Sequence, residues 1–462
     1  MRLKRFWFLP VVIAAMLVFG GFAVAQDADP APQAAGPAAP GAGQQDISGP
    51  FDMERCVKRA LELNPSMTSI RAQLQGSKFG TKSAFGAFLP SASANYGWTH
   101  YDRQNSYSNH YSDWASGVSV SQPVFHGFSI LAGWQKAQLT EESTAASLDN
   151  VELTLIGNVQ SNFLSLLKAR MDVKSAEDSV ARLESQLKVI TAFYDVGLRP
   201  KAEVLDAEVD LATARQGLLN AQNNVSIQET QLNTLLNIPV ETQVDYVGEL
   251  KDIPFDLTLR DCLTRAYKGR PDLVIGVKSV EIAKKDVTGA ESTFYPQVDA
   301  GWDYTNKGVD AGLGKGGSDG YSYRNKEYWT AGVSASMSIF RGGQDYYNLK
   351  QYQEVVKQVE AELENTRLNA GFEVKQALLN IKSAADSIDV ARKSVEAATE
   401  AYRMAVARYQ AQVGTNTDVL NAQSRLTETE AQLSQSLANY GTAISTLYVS
   451  MGEKNLGLKE AK

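Results

Sequence analysis

Apolar and polar residues alternate along four short segments of the chain. The alternation predicts β-strands at about 89–102, 114–125, 296–306 and 328–340, each with an apolar face and a face of small polar residues. The apolar positions are Ala92, Ala94, Tyr96 and Trp98; Trp114, Val118, Val120 and Val124; Val298, Ala300, Trp302 and Tyr304; and Trp329, Ala331, Val333, Ala335, Met337 and Ile339. Aromatic residues near the strand ends are a weak signature of membrane β-strands.

Each strand pair is followed by a long segment without proline, 127–196 and 343–413. Roughly 70 residues of helix would span about 100 Å. The next segments carry apolar residues at every seventh position and mostly small residues three positions later. The apolar residues are Val204, Leu211, Leu218, Val225 and Leu232, then Val419, Leu426, Leu433, Tyr440 and Leu447. This pattern predicts antiparallel coiled-coil hairpins at about 127–236 and 342–450; an ordinary solvated bundle would explain the pattern but not the length.

The chain contains this series of segments twice, in the same order. Asn64-Pro65 follows a short helical segment with Cys56, and Arg270-Pro271 follows a similar segment with Cys262. A period of roughly 206 residues indicates a duplicated half-molecule and not a solenoid. We divide the chain into a signal peptide at 1–25, a disordered Ala/Pro/Gly-rich leader at 26–50, a first structural repeat at 51–240, a linker at 241–257, a second structural repeat at 258–452 and a tail at 453–462.

The first 25 residues predict a cleaved secretory signal. Three basic residues precede an apolar stretch at 6–24, and Ala23-Val24-Ala25 fits a cleavage site. An uncleaved anchor helix is the alternative, which Pro10 disfavours. Export would allow Cys56 and Cys262 to form a disulfide. Their equivalent positions in two repeats favour two separate buried thiols instead.

Outside the signal, no apolar run reaches the length of about 18 residues that a membrane helix needs. Four strands alone cannot lie in lipid, because the backbone groups at the sheet edges would lack partners. Two copies would give eight strands that side chains fill, whereas three would give twelve strands and a polar lumen. We therefore predict a mixed α and β fold, with a membrane β-barrel of four strands per chain and twelve per trimer. A long antiparallel α-helical barrel continues it.

Charge and motifs disfavour other functions. The formal net charge of -7 disfavours nucleic acid, and we predict no nucleic-acid partner. His100, His110 and His126 lack the spacing of metal ligands, and nucleophile-elbow, CxxC and HExxH motifs are absent. We predict no enzyme activity, no cofactor and no bound metal.

The segments at the predicted helix turns resemble the TolC family of outer-membrane efflux channels. Val196-Gly197-Leu198 precedes Glu203-Val-Leu-Asp-Ala207, and Val413-Gly414-Thr415 precedes Asp418-Val-Leu-Asn-Ala422. The resemblance runs from about residue 51 to 452. It implies a homotrimer in the outer membrane lipid of a Gram-negative bacterium, extending into the periplasm. It also implies a periplasmic adaptor (membrane fusion) protein and an inner-membrane RND or ABC transporter as partners.

The resemblance also implies roles for particular residues. The turns formed by Val196, Gly197 and Leu198 and by Val413, Gly414 and Thr415 fall where the family meets its adaptor. Asp418 falls on an acidic position of the periplasmic gate, Glu203 on a second carboxylate, and Tyr409 on a tyrosine that helps to hold the closed state.

Two departures put the closing ion pairs of the family in doubt. Asn421 replaces an acidic residue of the best-known member, and no arginine lies in the turn at 414–417. Asp418 also has a simpler interpretation, because an aspartate favours the positive end of a helix dipole.

From this resemblance we expect a passive outer-membrane exit channel of a tripartite efflux or type I secretion system. It would carry small molecules or polypeptides. The alternative is a non-conducting coiled-coil scaffold that spans the periplasm from an outer-membrane anchor.

Overall fold

The computed structural model describes residues 49–105, 111–308 and 326–458. The predicted signal peptide, nearly all of the leader, and His110 lie outside these ranges. The helices are α1 (Met53–Leu63), α2 (Pro65–Gly86), α3 (Ser129–Asp195), α4 (Lys201–Leu235), α5 (Leu259–Gly269), α6 (Pro271–Glu291), α7 (Gln344–Gln410) and α8 (Asn416–Met451). The strands are β1 (Ser91–His100), β2 (Ser112–His126), β3 (Gln297–Gly308) and β4 (Lys326–Ser336).

Local sequence sets the junctions between the short helices. Asp52 caps α1 by accepting a hydrogen bond of 2.8 Å from the amide of Arg55. Pro65 occupies the first turn of α2, where its missing amide hydrogen costs nothing, and the Asn64 side chain accepts from the amide of Ser66. Pro271 begins α6 in the same way.

The four strands form one antiparallel sheet in the order β1, β2, β3, β4. The register places the alternating residues in rows across the sheet. One apolar row is Ala94, Val118, Tyr304 and Trp329, and the adjacent polar row is Ser93, Ser119, Asp303 and Thr330. Within the described residues, β1 and β4 each have one edge without a neighbouring strand.

Strand β4 is shorter than the alternation predicts. It ends at Ser336, although the pattern of apolar residues continues to 340. Ser336 pairs with Gln297, which is the first residue of β3. Residues 337–340 therefore have no partner on β3, and a strand persists only where its backbone groups are paired.

Two long helical hairpins, α3 with α4 and α7 with α8, follow the strand pairs. The residues of the predicted seven-residue repeat are buried or half-buried, whereas neighbours such as Leu205 and Val209 are exposed. Helices α3 and α7 each contain 67 residues, which corresponds to about 100 Å. Among the described residues, no helix combines the length and apolar character needed to cross a membrane.

Backbone geometry repeats between the two halves. Positive φ angles occur at Gly127, Phe128, Gly197 and Asn237, and again at Gly342, Gly343, Gln412 and Gly452. Each member of the second set lies 215 positions after its counterpart in the first, for example Gly127 and Gly342. The turns and helix ends of both halves therefore use the same backbone conformations.

The middle of the molecule is a mixed core of short helices and irregular segments. Cys56 and Cys262 are both buried and free, as the sequence favoured. Burial raises the pKa of Cys56 to about 12. The segment that we named the linker contributes Tyr246, which is buried, and its backbone pairs with that of Phe51.

The predicted tail is partly packed. Leu458 is buried in the main apolar cluster with residues of α5, α7 and α8. The Lys454 Nζ atom lies 2.8 Å from Asp149 Oδ1 and 2.5 Å from Glu152 Oε2. Residues 453–458 therefore fasten the end of α8 to α3.

Gly452 gives a test of this packing. It has a φ angle of 74°, and an added Cβ would lie 2.5 Å from the carbonyl oxygen of Gly269. A left-handed backbone alone costs another residue about 1–2 kcal/mol. We expect Gly452→Ala to lower stability by at least that amount, measured by thermal unfolding in detergent. Gly217→Ala is the control, because open space surrounds Gly217 in α4. Equal melting of both variants would contradict the packing.

Candidate gate at the helical hairpin turns

The two turns between long helices have the same backbone geometry. In the first, Gly197 is left-handed, and the amide of Leu198 donates to the carbonyl of Phe193 at 2.8 Å. In the second, Gln412 is left-handed, and the amide of Val413 donates to the carbonyl of Arg408 at 3.0 Å. Both are helix ends of the Schellman type.

The structural alignment of these turns differs from the alignment that their Val-Gly sequences suggest. Gly197 corresponds to Gln412, and therefore Arg199 corresponds to Gly414. Gly414 is needed for close packing, since an added Cβ would lie 3.2 Å from the Arg408 Cβ atom.

Arg199, Glu203 and Tyr409 form a group of contacts between the two hairpins, which we call the turn tie. The Tyr409 hydroxyl donates to Glu203 Oε2 at 3.1 Å. Arg199 Nη1 donates to Glu203 Oε1 at 3.3 Å, and Arg199 Nη2 donates to the carbonyl oxygen of Gly414 at 3.4 Å. The Arg199 guanidinium also lies 5.0 Å from the centre of the Tyr409 ring, within the range of a cation–π contact.

The Tyr409 side chain of the turn tie lies in a buried, apolar environment. Tyr409 is fully buried in a small apolar cluster with Ile190, Ala207 and Val419. Burial, together with the Glu203 carboxylate, raises the pKa of Tyr409 to about 12. The hydroxyl therefore stays protonated at neutral pH and remains a donor to Glu203.

Asp418 and Asn421 do not join the turn tie. Asp418 forms a capping box with Thr415, whose amide and hydroxyl donate to Asp418 Oδ2 at 3.0 and 2.7 Å. These hydrogen bonds, first from the backbone and then from the hydroxyl, lower the pKa of Asp418. The helix-capping interpretation of Asp418 is therefore correct. Asn421 lies exposed on α8.

The turns themselves present apolar side chains to the surface. Val196, Leu198 and Val413 are 69%, 54% and 73% exposed. Gly197 and Thr415 are also exposed, whereas Gly414 is half-buried.

Sequence reasoning missed Arg199. The residue lies four positions before Glu203, which is the spacing of a helical ion pair, but it precedes α4 and belongs to the first turn. Its contact with Gly414 joins residues 215 positions apart in the chain. Only an alignment of the two turns by geometry would have paired these positions.

Helices α3 and α8 meet along a series of polar contacts, which we call the polar seam. The pairs are Gln160 with Ser445, Asp172 with Ser434, Ser179 with Gln423, Arg182 with Glu430, and Gln186 with Asn416, at 2.6, 2.7, 3.0, 3.4 and 3.1 Å. A hydrogen bond that is exchanged for one to water contributes only about 0.5–1.5 kcal/mol net. The contact between α3 and α8 therefore depends on hydrogen-bonded pairs as well as on apolar packing, such as that of Leu164 against α8.

The sequence profile of the outer membrane efflux protein family matches residues 56–237 and, a second time, residues 262–453. The chain belongs to this family. It is therefore a member of a family of outer-membrane efflux proteins of the TolC type, and the members of that family are transport proteins.

Known proteins share parts of this sequence. TolC of Escherichia coli K12 is 27% identical over 138 residues, which are 30% of this chain and 27% of that protein. The pyoverdine export outer membrane protein OpmQ of Pseudomonas aeruginosa is 23% identical over 363 residues, covering 72% of this chain and 73% of OpmQ. The alignments with three TolC proteins span only 27%, 45% and 24% of their lengths.

A solved structure shows that the fold is shared. The outer membrane protein VceC of Vibrio cholerae superposes with a TM-score of 0.72 at 16% identity, covering 87% of this chain and 96% of VceC. The mostly helical chain with its small antiparallel sheet therefore has the fold of the efflux channels.

The Asp418 cap predicts a pH dependence. Because the pKa of Asp418 is lowered by folding, its stabilisation is present above the ordinary aspartate pKa of about 3.9 and is lost as the pH falls through the lower value. We expect Asp418→Asn to lower the melting temperature most at neutral pH and least in acid. Asp389→Asn, at an exposed position inside α7, is the control. A deficit that stays constant with pH would contradict the cap.

Proposed function

We propose that this protein is the passive outer-membrane exit duct of a tripartite efflux or type I secretion system. One observation carries the proposal: in the described part of each chain, a two-faced sheet with open edges is joined to two helical hairpins whose longer helices measure about 100 Å. Such a chain suits a tube that passes through a membrane and continues beyond it.

A homotrimer is the assembly that best suits this sheet. The apolar row that contains Val118 and Tyr304 would face lipid, and the polar row that contains Ser119 and Asp303 would face the lumen. Three copies would supply twelve strands, enough for a polar passage.

The turn tie is the proposed gate contact. Arg199 and Glu203 come from the first hairpin, and Tyr409 and Gly414 from the second, so the tie holds the two turns of one chain together. An opening movement would break these contacts and then separate the hairpins along the polar seam. In the assembly, Asp418 and Asn421 would add polar side chains to the constriction.

The exposed apolar side chains of Val196, Leu198 and Val413 are the proposed contacts with a periplasmic adaptor. Exposed apolar groups gathered at one end of a molecule often mark a binding surface. An inner-membrane transporter of the RND or ABC type would supply the energy and select the cargo, either small molecules or polypeptides.

Channel recordings in planar bilayers test the duct and its gate together. Arg199→Ala, Glu203→Ala and Tyr409→Phe each remove a hydrogen bond to a charged group, which is worth about 1.5–3 kcal/mol. We expect each variant to raise the ratio of open to closed states by about tenfold or more. Arg215→Ala is the matched control, because Arg215 forms an exposed pair with Glu184 away from the turns.

These recordings distinguish failure of the proposed duct from failure of the proposed gate. If neither the wild type nor any variant conducts, the duct is wrong and the scaffold alternative stands. If all of them conduct equally, the duct holds but the turn tie is not its gate.

Native mass spectrometry of the detergent-solubilised protein tests the assembly. We expect three copies, because a sheet of four strands needs partners to close in lipid. A dimer or a monomer would rule out the twelve-stranded barrel.

A further inference from the structure

One face of α2 carries lysine and aromatic side chains together. Lys78 and Lys82 are exposed, and Phe79 and Phe85 are 57% and 48% exposed. The Lys82 Nζ atom lies 5.6 Å from the centre of the Phe79 ring, within the range of a cation–π contact. Residues three and four positions apart share one side of a helix. We call these four residues the lysine face.

The lysine face is turned away from the contacts that α2 makes with α3. Ile70 is buried, and the Thr81 hydroxyl donates to Glu141 Oε2 of α3 at 2.8 Å. With 3.6 residues per turn, Ile70 and Thr81 point in nearly the same direction, and the two lysines point roughly 60–120° away from it. The lysines therefore project from the surface of the helical body.

The second half of the chain has a carboxylate at the place where the first half has none. Helices α2 and α6 begin 206 positions apart, so that Lys78 corresponds to Lys284. Lys284 Nζ lies 3.2 Å from Glu360 Oε1 of α7. Helices α3 and α7 begin 215 positions apart, so that Glu360 corresponds to Ala145. In the part of the chain that the structure describes, no carboxylate forms an ion pair with Lys78 or Lys82.

The lysine face lies close to the point where the sheet begins. Helix α2 ends at Gly86, and β1 begins at Ser91. A rise of 1.5 Å per residue puts Lys82 about 6 Å and Lys78 about 12 Å from this end of the helix. The headgroup layer of a bilayer adds only about 5–7 Å on each side of the hydrocarbon core. Long lysine stems can extend to bring their charge into such a layer.

An aromatic cluster marks the level of the membrane boundary on the same helix. The rings of Phe85, Phe88 and Trp134 have their centres 5.6–6.1 Å apart. Leu89, between α2 and β1, is 50% exposed. Aromatic side chains are enriched where hydrocarbon meets headgroups, and this chain belongs to a family of outer-membrane proteins. The lysines therefore lie at headgroup level, in the leaflet on the side of the helical hairpins.

A neighbouring copy would cover a different side of α2. Within the chain, α6 packs against α3 through the ion pairs of Lys278 and Asp286, at 2.7 and 2.6 Å. The corresponding residues of α2 are Ala72 and Gly80. They lie roughly 140° around the helix from the two lysines. A second copy packed on α2 in the same way would leave the lysine face uncovered.

We propose that the lysine face is a binding site for an anionic glycerophospholipid. Lys78 and Lys82 hold the phosphate group, and the exposed rings of Phe79 and Phe85 contact the apolar part of the lipid. Two lysines without ion-pair partners suit a phosphate, and adjoining aromatic rings at the membrane boundary suit acyl chains. The site depends on the location of the protein in a membrane and not on conduction through it.

Native mass spectrometry of the full-length protein in detergent tests the site, with phosphatidylglycerol or phosphatidylethanolamine added. One lysine near a membrane surface changes the affinity for anionic lipid about fivefold, and two change it about 30-fold. We expect the unaltered protein to prefer phosphatidylglycerol by about 30-fold. The double variant Lys78→Gln with Lys82→Gln should lose this preference and keep its affinity for phosphatidylethanolamine. Phe79→Ala should weaken the binding of both lipids.

Two controls define the result. The double variant Lys284→Gln with Lys285→Gln removes the same charge from the corresponding part of α6, where Lys284 is paired with Glu360. It should bind both lipids as the unaltered protein does. Glycerol 3-phosphate, added at the concentration of the lipid, should not displace phosphatidylglycerol, because it offers the phosphate without the acyl chains.

Four outcomes would overturn the proposal. The first is equal binding of the two lipids by the unaltered protein. The second is an equal loss of preference in the α6 control variant, which would reflect net charge alone. The third is displacement by glycerol 3-phosphate, which would indicate a site for soluble phosphate. The fourth is a changed number of copies in the α2 double variant with unchanged lipid binding, which would show that a second copy covers the face.

Discussion

Hydrogen bonding of the backbone in lipid is the constraint on which the architecture depends. Water cannot satisfy an amide or carbonyl group there, so every strand needs a neighbour on both sides. The described residues provide four strands, among which the outer edges of β1 and β4 have no neighbouring strand. The residues after Ser336 show the same constraint on a small scale, since a pattern suited to a strand remains irregular without a partner. In the proposed trimer, assembly would therefore complete the sheet.

The helical part combines two kinds of interface. Within each hairpin, apolar residues repeat every seven positions and exclude water, as Leu211 and Leu426 do. Between α3 and α8, hydrogen-bonded pairs such as Gln186 with Asn416 lie beside apolar contacts such as that of Leu164 with the α8 cluster. Hydrogen bonds can be replaced by water when surfaces separate, whereas apolar burial is lost outright. Under the proposed function, the polar seam would be the place where one hairpin moves against the other.

In the turn tie, an arginine of the first turn contacts the second turn, which has no arginine of its own. The turn at 414–417 carries no arginine, but Arg199 from the other turn reaches the carbonyl of Gly414 and the carboxylate of Glu203. Because one cation contacts both hairpins, all the contacts of the tie lie within a single chain. Asp418, which the resemblance places at the gate, forms a capping box at the start of α8 in this chain.

The sequence by itself determined the elements, since alternation and seven-residue repeats follow directly from the periods of strands and helices. The family resemblance singled out Glu203 and Tyr409, and the tertiary structure places their side chains in contact. Tertiary structure alone decided that Arg199 completes the tie, that β4 ends at Ser336, and that Leu458 is buried. Each of these depends on contacts between residues far apart in the chain, and local periodicity carries no information about such contacts.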